Sequence, residues 1–305
     1  MESYALLVAA TLNAGTVLAI AALGLLINEK AGIVNLGAEG MMLCAAIAGF
    51  ATVVNTGSDI MGFAAGALAG MVMAAIFGGL VIWLNTNQYA TGLALTLFDT
   101  GFSAFAGISY VQEKMPDRIS FAIPYLSDIP LVGPALFRHH PFVYLTVIFT
   151  FALIWFLNRT RSGLILRSVG ESPTSAHGLG YPVRWIRMAA VVTGGALCGL
   201  AGAYLSIIYT PLWVEGMVAG KGWIALALVT FGTWRPFRVF LGAYLFGGMT
   251  MLQMNLQSIG ISVPTQFISM APYAATIIVL ALISRNPTWI RLNMPASLGK
   301  PFNPH

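Results

Sequence analysis

Charged residues are scarce in this 305-residue chain: Asp, Glu, Lys and Arg together make up 8% of it, against about 25% in ordinary soluble domains. This composition excludes a soluble enzyme, a DNA-binding domain and a disordered scaffold. Cysteine is also scarce, and both copies, Cys44 and Cys198, lie within apolar stretches. We expect them to pack as small apolar side chains and not to form a disulfide framework.

Long apolar stretches are what the chain has instead. Hydrophobic residues make up 58% of it and the mean hydropathy is +0.82. Several stretches of about 20 residues are almost uncharged, which is enough for a helix to cross a hydrocarbon core of about 30 Å. The stretches are continuous and do not alternate, so they predict helices and not a barrel. The sequence therefore predicts an all-α polytopic membrane protein with a single transmembrane domain over residues 1–305.

Eight segments are long enough to be full spans. They are 4–27, 36–54, 60–84, 88–110, 141–157, 188–208, 237–257 and 265–284. No Lys or Arg precedes residue 30, so we expect the first segment to be retained as a span and not cleaved as a signal peptide. A ninth apolar segment, 222–232, is too short to cross upright and predicts a half-length or re-entrant helix.

An internal repeat is suggested by two segments. Residues 91–100, TGLALTLFDT, match residues 224–233, IALALVTFGT, at half of their positions. A true repeat would place the two copies in opposite directions across the membrane, as in the inverted repeats of transporters. A chance match in a chain rich in Ala and Leu is the alternative.

Two hydrophilic segments differ in charge. Residues 158–187 carry five Arg residues against one acid, Glu171, which predicts a cytoplasmic position. Residues 111–138 have balanced charges and lie one span away, which places them outside. Because successive spans cross the membrane in opposite directions, 209–221 should lie outside as well. The segment 222–232 must then return to the cytoplasmic side.

The cytoplasmic segment contains a short capped helix. Ser172 is a good N-cap, Pro173 suits the first helical position, and Gly178 or Gly180 can end the helix in the left-handed conformation. One interpretation is an ordinary polar loop with a capped turn. The other is a rigid docking element on which a soluble partner pushes.

Four segments carry a resemblance to a known family. Residues 166–203, LRSVGESPTSAHGLGYPVRWIRMAAVVTGGALCGLAGA, resemble the coupling segment of membrane permeases of bacterial ABC importers. The branch is the one that serves branched-chain amino acids, ribose-type sugars and nucleosides. Residues 30–50, 88–101 and 220–236 also resemble that branch: KAGIVNLGAEGMMLCAAIAGF, QYATGLALTLFDTG and GKGWIALALVTFGTWRP. The form AGIVNLGAEGMM is most similar to the nucleoside-type, or simple sugar-type, permeases.

The resemblance implies a permease subunit in a bacterial cytoplasmic membrane. Its implied partners are ATP-binding subunits, a second permease that is related or identical, and an extracytoplasmic solute-binding protein, with no nucleic acid. The solute would be a nucleoside, or otherwise a simple sugar or a branched-chain amino acid. The binding protein would dock on 111–138 and 209–221, where Trp213 is a candidate for contact with it or for stacking on the solute.

The same resemblance assigns coupling to the capped helix and its flanks. The residues implied are Gly170, Glu171, Ser172, Pro173, Thr174, Ser175, Ala176, His177 and Gly178. We expect no catalytic residues, metal site or cofactor in this chain, because ATP and Mg²⁺ would bind the partner subunits. Residues 216–221, GMVAGK, have one residue too few between their glycines to form a P-loop.

Polar residues inside apolar segments are candidates for a translocation pathway. An ionised carboxylate at the membrane centre costs about 2.5–3.5 kcal/mol on insertion scales, so Glu39 and Asp99 should face protein or water. Helical periodicity places Asn85, Gln88, Thr96, Asp99 and Ser103 on one stripe, with Thr91 at its edge. This stripe lines a polar route, or its members simply hydrogen-bond neighbouring helices.

Residues 32–40 combine Asn35 and Glu39 with three glycines, which predicts an unwound turn that faces the solute. The alternative is a tight connection in which Glu39 caps a helix N-terminus. The predicted pathway residues are Asn35, Glu39, Gln88, Thr91, Thr96 and Asp99. One rival function is an ion-coupled secondary transporter that uses Asp99 or Glu39. A second is a membrane-embedded enzyme, although no catalytic cluster is evident in the sequence.

Overall fold

The computed structural model describes residues 2–111, 113, 115, 133, 136–258, 270, 274, 277, 278, 281 and 293–303. Ten α-helices are defined within these residues. They are α1 (Glu2–Lys30), α2 (Ala38–Thr56), α3 (Asp59–Gly78), α4 (Gln88–Gly107), α5 (Pro141–Arg159), α6 (Arg161–Glu171), α7 (Pro173–Gly178), α8 (Val183–Tyr204), α9 (Lys221–Phe231) and α10 (Pro236–Ser258). Two of them continue as five-residue π-helical turns, α3 over Gly79–Trp83 and α8 over Leu205–Tyr209.

Within the described part of the chain, seven helices are long and apolar enough to cross a membrane: α1 to α5, α8 and α10. The predicted all-α polytopic fold is confirmed. The seven correspond to the first seven predicted spans, and α9 corresponds to the predicted short helix. The eighth predicted span, 265–284, and most of the predicted outer loop, 111–138, lie outside the described residues.

Small residues allow a close contact between α3 and α8. Gly66 and Gly70 are four residues apart on α3, and they lie against Gly195 and Gly199, which have the same spacing on α8. A Cβ atom at Gly70 would overlap the Gly195 carbonyl oxygen, so the two backbones touch. In lipid, helix association depends on such close packing, because burial of apolar surface from water supplies little there.

Several basic residues, among them Lys30 and Arg187, lie at one end of the bundle. The C-terminal residues 293–303 lie there: Lys30 Nζ donates to the Asn293 carbonyl at 2.8 Å, and Arg187 contacts Ser297. The connection after α9 reaches the same end, because the Trp234 indole donates to Glu29 near the end of α1. The predicted return of 222–232 to this end is therefore confirmed. The cytoplasmic position of this end, expected from the positive-inside rule, stays a prediction.

Candidate functional site

The connection between α1 and α2 is unwound and buried. Helix α1 ends at Lys30 and α2 begins at Ala38, while residues 31–37 run between them without regular structure. Gly32 has φ +88°, a left-handed conformation that favours glycine. The predicted break is confirmed but is shorter than expected, because Glu39 and Gly40 already lie in the first turn of α2.

The polar stripe of α4 faces this unwound connection. Gln88 accepts a hydrogen bond from the Val34 amide at 2.8 Å, and Thr96 donates to the Leu36 carbonyl at 3.1 Å. These bonds satisfy two backbone groups that the break leaves without helical partners. Helix α4 is itself fixed at its start, where the Asn87 side chain accepts from the amides of Tyr89 and Ala90.

The predicted stripe is largely confirmed as an inward face. Four members are buried: Gln88, Thr96, Asp99 and Ser103. Thr91 is only half-buried and donates to the Thr86 hydroxyl at 2.8 Å, so it lies at the edge, as expected. In this conformation the Gln88 and Thr96 side chains bond to a neighbouring segment, which is the alternative to lining a polar route.

Asp99 differs from the rest of the stripe. It is completely buried, and neither carboxyl oxygen has a hydrogen-bond partner among the described residues. Gly40 provides the space, because a Cβ there would lie 2.6 Å from the Asp99 Cβ. The Cys44 thiol lies 3.6 Å from the backbone carbonyl of Asp99 and is also close to its carboxyl group. Asp99 therefore places a buried carboxyl group beside the unwound segment, with the weakly polar Cys44 thiol as its neighbour and no hydrogen bond to its oxygens from the described residues.

Glu39 has a different role. Its two carboxylate oxygens accept hydrogen bonds from the backbone amides of Gly220 and Gly222, each at 2.7 Å. These amides belong to the first turn of α9, where helical N–H groups have no partner within the helix. Glu39 therefore caps the N-terminus of the short helix, which is the second of the two predicted alternatives. With 11 residues, α9 is about 16 Å long and spans about half of a bilayer core.

Residues 209–221, which precede α9, are predicted to form an outer loop but run into the bundle. This segment begins beside Gly107 at the far end of α4 and reaches Glu39 inside the bundle. Trp213 is 1% exposed and packs in a cluster with Phe50. The expectation that Trp213 is available to a partner or to a solute is wrong for this conformation, because the indole fills the space over Gly107.

Asn35 also turns toward its own segment. Its side-chain oxygen accepts from the Gly37 amide at 2.9 Å, and its side-chain nitrogen lies 3.4 Å from the Met41 sulfur. Asn35 therefore stabilises the turn into α2 in this conformation. Its predicted place in the pathway stays a prediction.

The predicted capped helix is present at the basic end as α7. The Ser172 side chain accepts from the Ser175 amide at 3.3 Å, and Pro173 occupies the first turn. Of the two candidate glycines, Gly180 is the one with positive φ, +88°. The sequence did not reveal α6, which precedes α7 and is capped by Thr160 through the Gly163 amide at 3.0 Å.

The nine predicted coupling residues divide by exposure. Five are exposed: Glu171, Thr174, Ser175, His177 and Gly178. Ser172 and Pro173 are half-buried. Gly170 and Ala176 are buried, Gly170 against the Lys30 carbonyl and Ala176 in a cluster with Val169 and Val183. A groove of about 490 Å³ lies between α6 and α7. Only the exposed residues are positioned to touch a partner, whereas Gly170 and Ala176 hold the element in place.

Comparisons with known proteins agree with this architecture. The family described as "Branched-chain amino acid transport system / permease component" matches residues 7–283. A Haloferax volcanii protein named as a candidate glucose ABC transporter permease is 40% identical over 99% of both chains. The nucleoside ABC transporter permease of Lactococcus lactis subsp. cremoris is 32% identical over 92% of this chain and 93% of its own length. The guanosine ABC transporter permease of Bacillus subtilis is 30% identical over 92% of each chain.

No solved structure matches the chain. The fold and the relatives define a polytopic permease of an ABC transporter. The chain belongs to the permease family that matches residues 7–283, and the family resemblance found in the sequence is confirmed.

Proposed function

We propose that this chain is the membrane subunit through which an ATP-driven importer moves a small, uncharged polar solute into the cell. One observation carries the proposal: inside the bundle, the polar face of α4 lies along the unwound segment 31–37. Unwound segments expose backbone donors and acceptors that transporters use to bind polar solutes. The implied location is a bacterial cytoplasmic membrane, with the basic end inside.

The groups along this face suit a hydroxylated solute. Thr96 and Ser103 carry hydroxyls that already donate to backbone carbonyls, Gln88 carries an amide whose oxygen accepts from Val34, and Asp99 carries a carboxyl group. All four are buried. Asp99 is the strongest candidate for solute contact, because no described residue forms a hydrogen bond with its carboxyl oxygens. A buried polar group without a partner costs about 1–3 kcal/mol, which a bound hydroxyl or amide would offset.

Nucleosides are the first solute class to test and simple sugars the second. Relatives named as nucleoside and guanosine permeases align over more than nine-tenths of the chain, and so does the relative named for glucose. Ribose and glucose both present the hydroxyls that this face can bind. A nucleobase adds an uncharged aromatic ring, which fits the sparse charge of the route.

ATP hydrolysis belongs to partner subunits in this proposal, and α7 receives their movement. Its residues Thr174 and Ser175 are exposed at the basic end, and His177 is exposed but also contacts Phe302. Closure of the ATP-binding subunits would displace α7 and tilt the adjoining helices α5 and α8. A second permease would complete the route, and a binding protein would deliver the solute at the opposite end.

The proposal is tested with the complete importer in liposomes, that is, this chain with its partner permease, ATP-binding subunits and binding protein. Uptake of radiolabelled adenosine, guanosine and glucose is measured with ATP or ADP on the side of the ATP-binding subunits. We expect nucleoside uptake that requires both ATP and the binding protein. Uptake of glucose alone would correct the solute class. Uptake that survives without ATP and stops when the proton gradient is collapsed would overturn the proposal in favour of ion coupling.

A further inference from the structure

The C-terminal residues 293–303 are bound to two parts of the protein at once. At α6, the Gly170 carbonyl accepts from the Ser297 amide at 3.0 Å and from the Ser297 hydroxyl. At the unwound connection, the Gly32 carbonyl accepts from the Gly299 amide at 3.1 Å. We call residues 293–303 the C-terminal strap. It joins the end of α6 to the segment that faces the polar stripe of α4.

Arg187 lies where these parts meet. It is 2% exposed, and its guanidinium donates to the carbonyl of Ala31 at 3.1 Å, to the Ser297 hydroxyl at 3.1 Å and to the Lys300 carbonyl at 3.3 Å. A buried guanidinium is costly unless its donors are satisfied. Its planar fork of donors allows three acceptors from two separate segments to be held together, which a lysine cannot reproduce.

The strap also contacts the proposed docking helix. Phe302 is 6% exposed and packs in a cluster with Val169 of α6 and Ala176 of α7. Its ring lies 5.7 Å from the His177 ring, at an interplanar angle of 66°. Displacement of α7 must therefore move Phe302 or break its packing.

From the strap, the contacts continue to the candidate pathway. The strap holds Gly32 and Arg187 holds Ala31. Val34 and Leu36, which lie two and four residues after Gly32, bond to α4 through their backbone groups. The route from α7 to the polar stripe thus runs through short-range contacts on one side of the bundle. This route would act in addition to the proposed tilt of α5 and α8.

We propose that the C-terminal strap and Arg187 transmit displacement of α7 to the unwound segment 31–37. Arg187 acts as a positioning residue and Phe302 as the contact that follows the docking helix. This inference rests on the proposed docking role of α7, because that role supplies the displacement.

The test follows both ends of this route in the assembled importer in lipid nanodiscs. Hydrogen exchange of the backbone is compared between the nucleotide-free and vanadate-trapped states, for peptides that cover 170–180 and 31–37. The variants are Phe302→Ala and Arg187→Lys, with Ser297→Ala as a milder change at the same junction. Phe63→Ala is the matched control, because Phe63 is also a buried aromatic residue, 9% exposed, but stacks on Phe142, away from the strap.

In the wild-type importer and in Phe63→Ala, we expect both peptides to respond to trapping. In Phe302→Ala and Arg187→Lys, the 170–180 peptide should still respond, while the response of 31–37 falls by about fivefold or more, within the usual range of coupling between sites. An unchanged response of 31–37 in these variants would overturn the proposed transmission through the strap and leave the docking role of α7 intact. The same loss in the control Phe63→Ala would also overturn the proposed transmission, because the loss would then reflect general destabilisation. A wild-type 170–180 peptide that never responds would overturn both proposals.

Discussion

The cap that Glu39 forms on α9 leads to a quantitative prediction for Glu39→Gln. The carboxylate accepts two backbone hydrogen bonds of 2.7 Å, whereas the glutamine amide offers one oxygen and turns its NH₂ group toward the second donor. A hydrogen bond to a charged group contributes about 1.5–3 kcal/mol. A negative charge at a helix N-terminus adds about 0.3–1 kcal/mol. We therefore expect Glu39→Gln to lower the free energy of unfolding by about 2–4 kcal/mol.

The assay is SDS titration of the purified chain in mixed micelles, followed by tryptophan fluorescence. Glu215→Gln is the matched control, because Glu215 is exposed and lies just before the same short helix. Glu39→Asp should lose part of the stability, since its shorter side chain cannot reach both amides. Equal stability of Glu39→Gln and Glu215→Gln would refute the cap as a source of stability. It would return Glu39 to the set of groups available to a solute or an ion.

Three further predictions concern stability and uptake. Gly70→Ala should destabilise the bundle severely, because the added Cβ would overlap the Gly195 carbonyl. Gly101→Ala should be neutral or stabilising, since nothing lies within 4 Å of an added Cβ there. SDS titration compares the stability of the two variants. Asp99→Leu should raise the free energy of unfolding by about 1–3 kcal/mol, because it removes a buried carboxyl group to which no described residue is hydrogen-bonded. It should also reduce solute uptake. Lower stability with normal uptake would contradict the assignment of Asp99 to the pathway. Trp213→Ala should lower the free energy of unfolding by about 3–5 kcal/mol, as expected for a buried aromatic residue. A variant that binds the binding protein differently but keeps its stability would contradict the place of Trp213 in the core.

Much of the fold could be predicted from local sequence patterns. Hydrophobic runs determine where spans lie, because the bilayer requires about 20 apolar residues for each one. Caps such as Ser172 with Pro173 are also local, and α7 follows from them. The glycines and Asn35 of 31–37 marked the break between α1 and α2, although they did not show that α2 resumes at Ala38.

The remaining features depend on contacts between distant parts of the chain. Glu39 and Gly220 are 181 residues apart, and only the folded bundle brings the carboxylate to the start of α9. Burial of Trp213 over Gly107, and of Ala176 under the strap, likewise depends on which surfaces meet. Arg187 was detectable as an arginine at the start of an apolar run, but its three acceptors were not.

The inward position of Ala176 also changes how docking is best tested. A charge at Ala176 would disrupt its packing with Val169 and Val183 before any partner is involved, because Ala176 is 2% exposed. Replacement of Glu171 is ambiguous as well, since its carboxylate accepts from the Ala296 amide at 3.4 Å. Thr174 is exposed and is the better position for a probe of the interface.

The central claim, that α7 receives movement from ATP-hydrolysing subunits, is tested most directly by photo-cross-linking in the assembled importer. The photoreactive amino acid p-benzoylphenylalanine is introduced at Thr174 and, as the control for the opposite end, at Glu215. The account predicts that the Thr174 probe joins this chain to the ATP-binding subunits and that the Glu215 probe does not. A Thr174 probe that couples instead to the solute-binding protein, or leaves the ATP-binding subunits unlabelled while the importer is active, would contradict it.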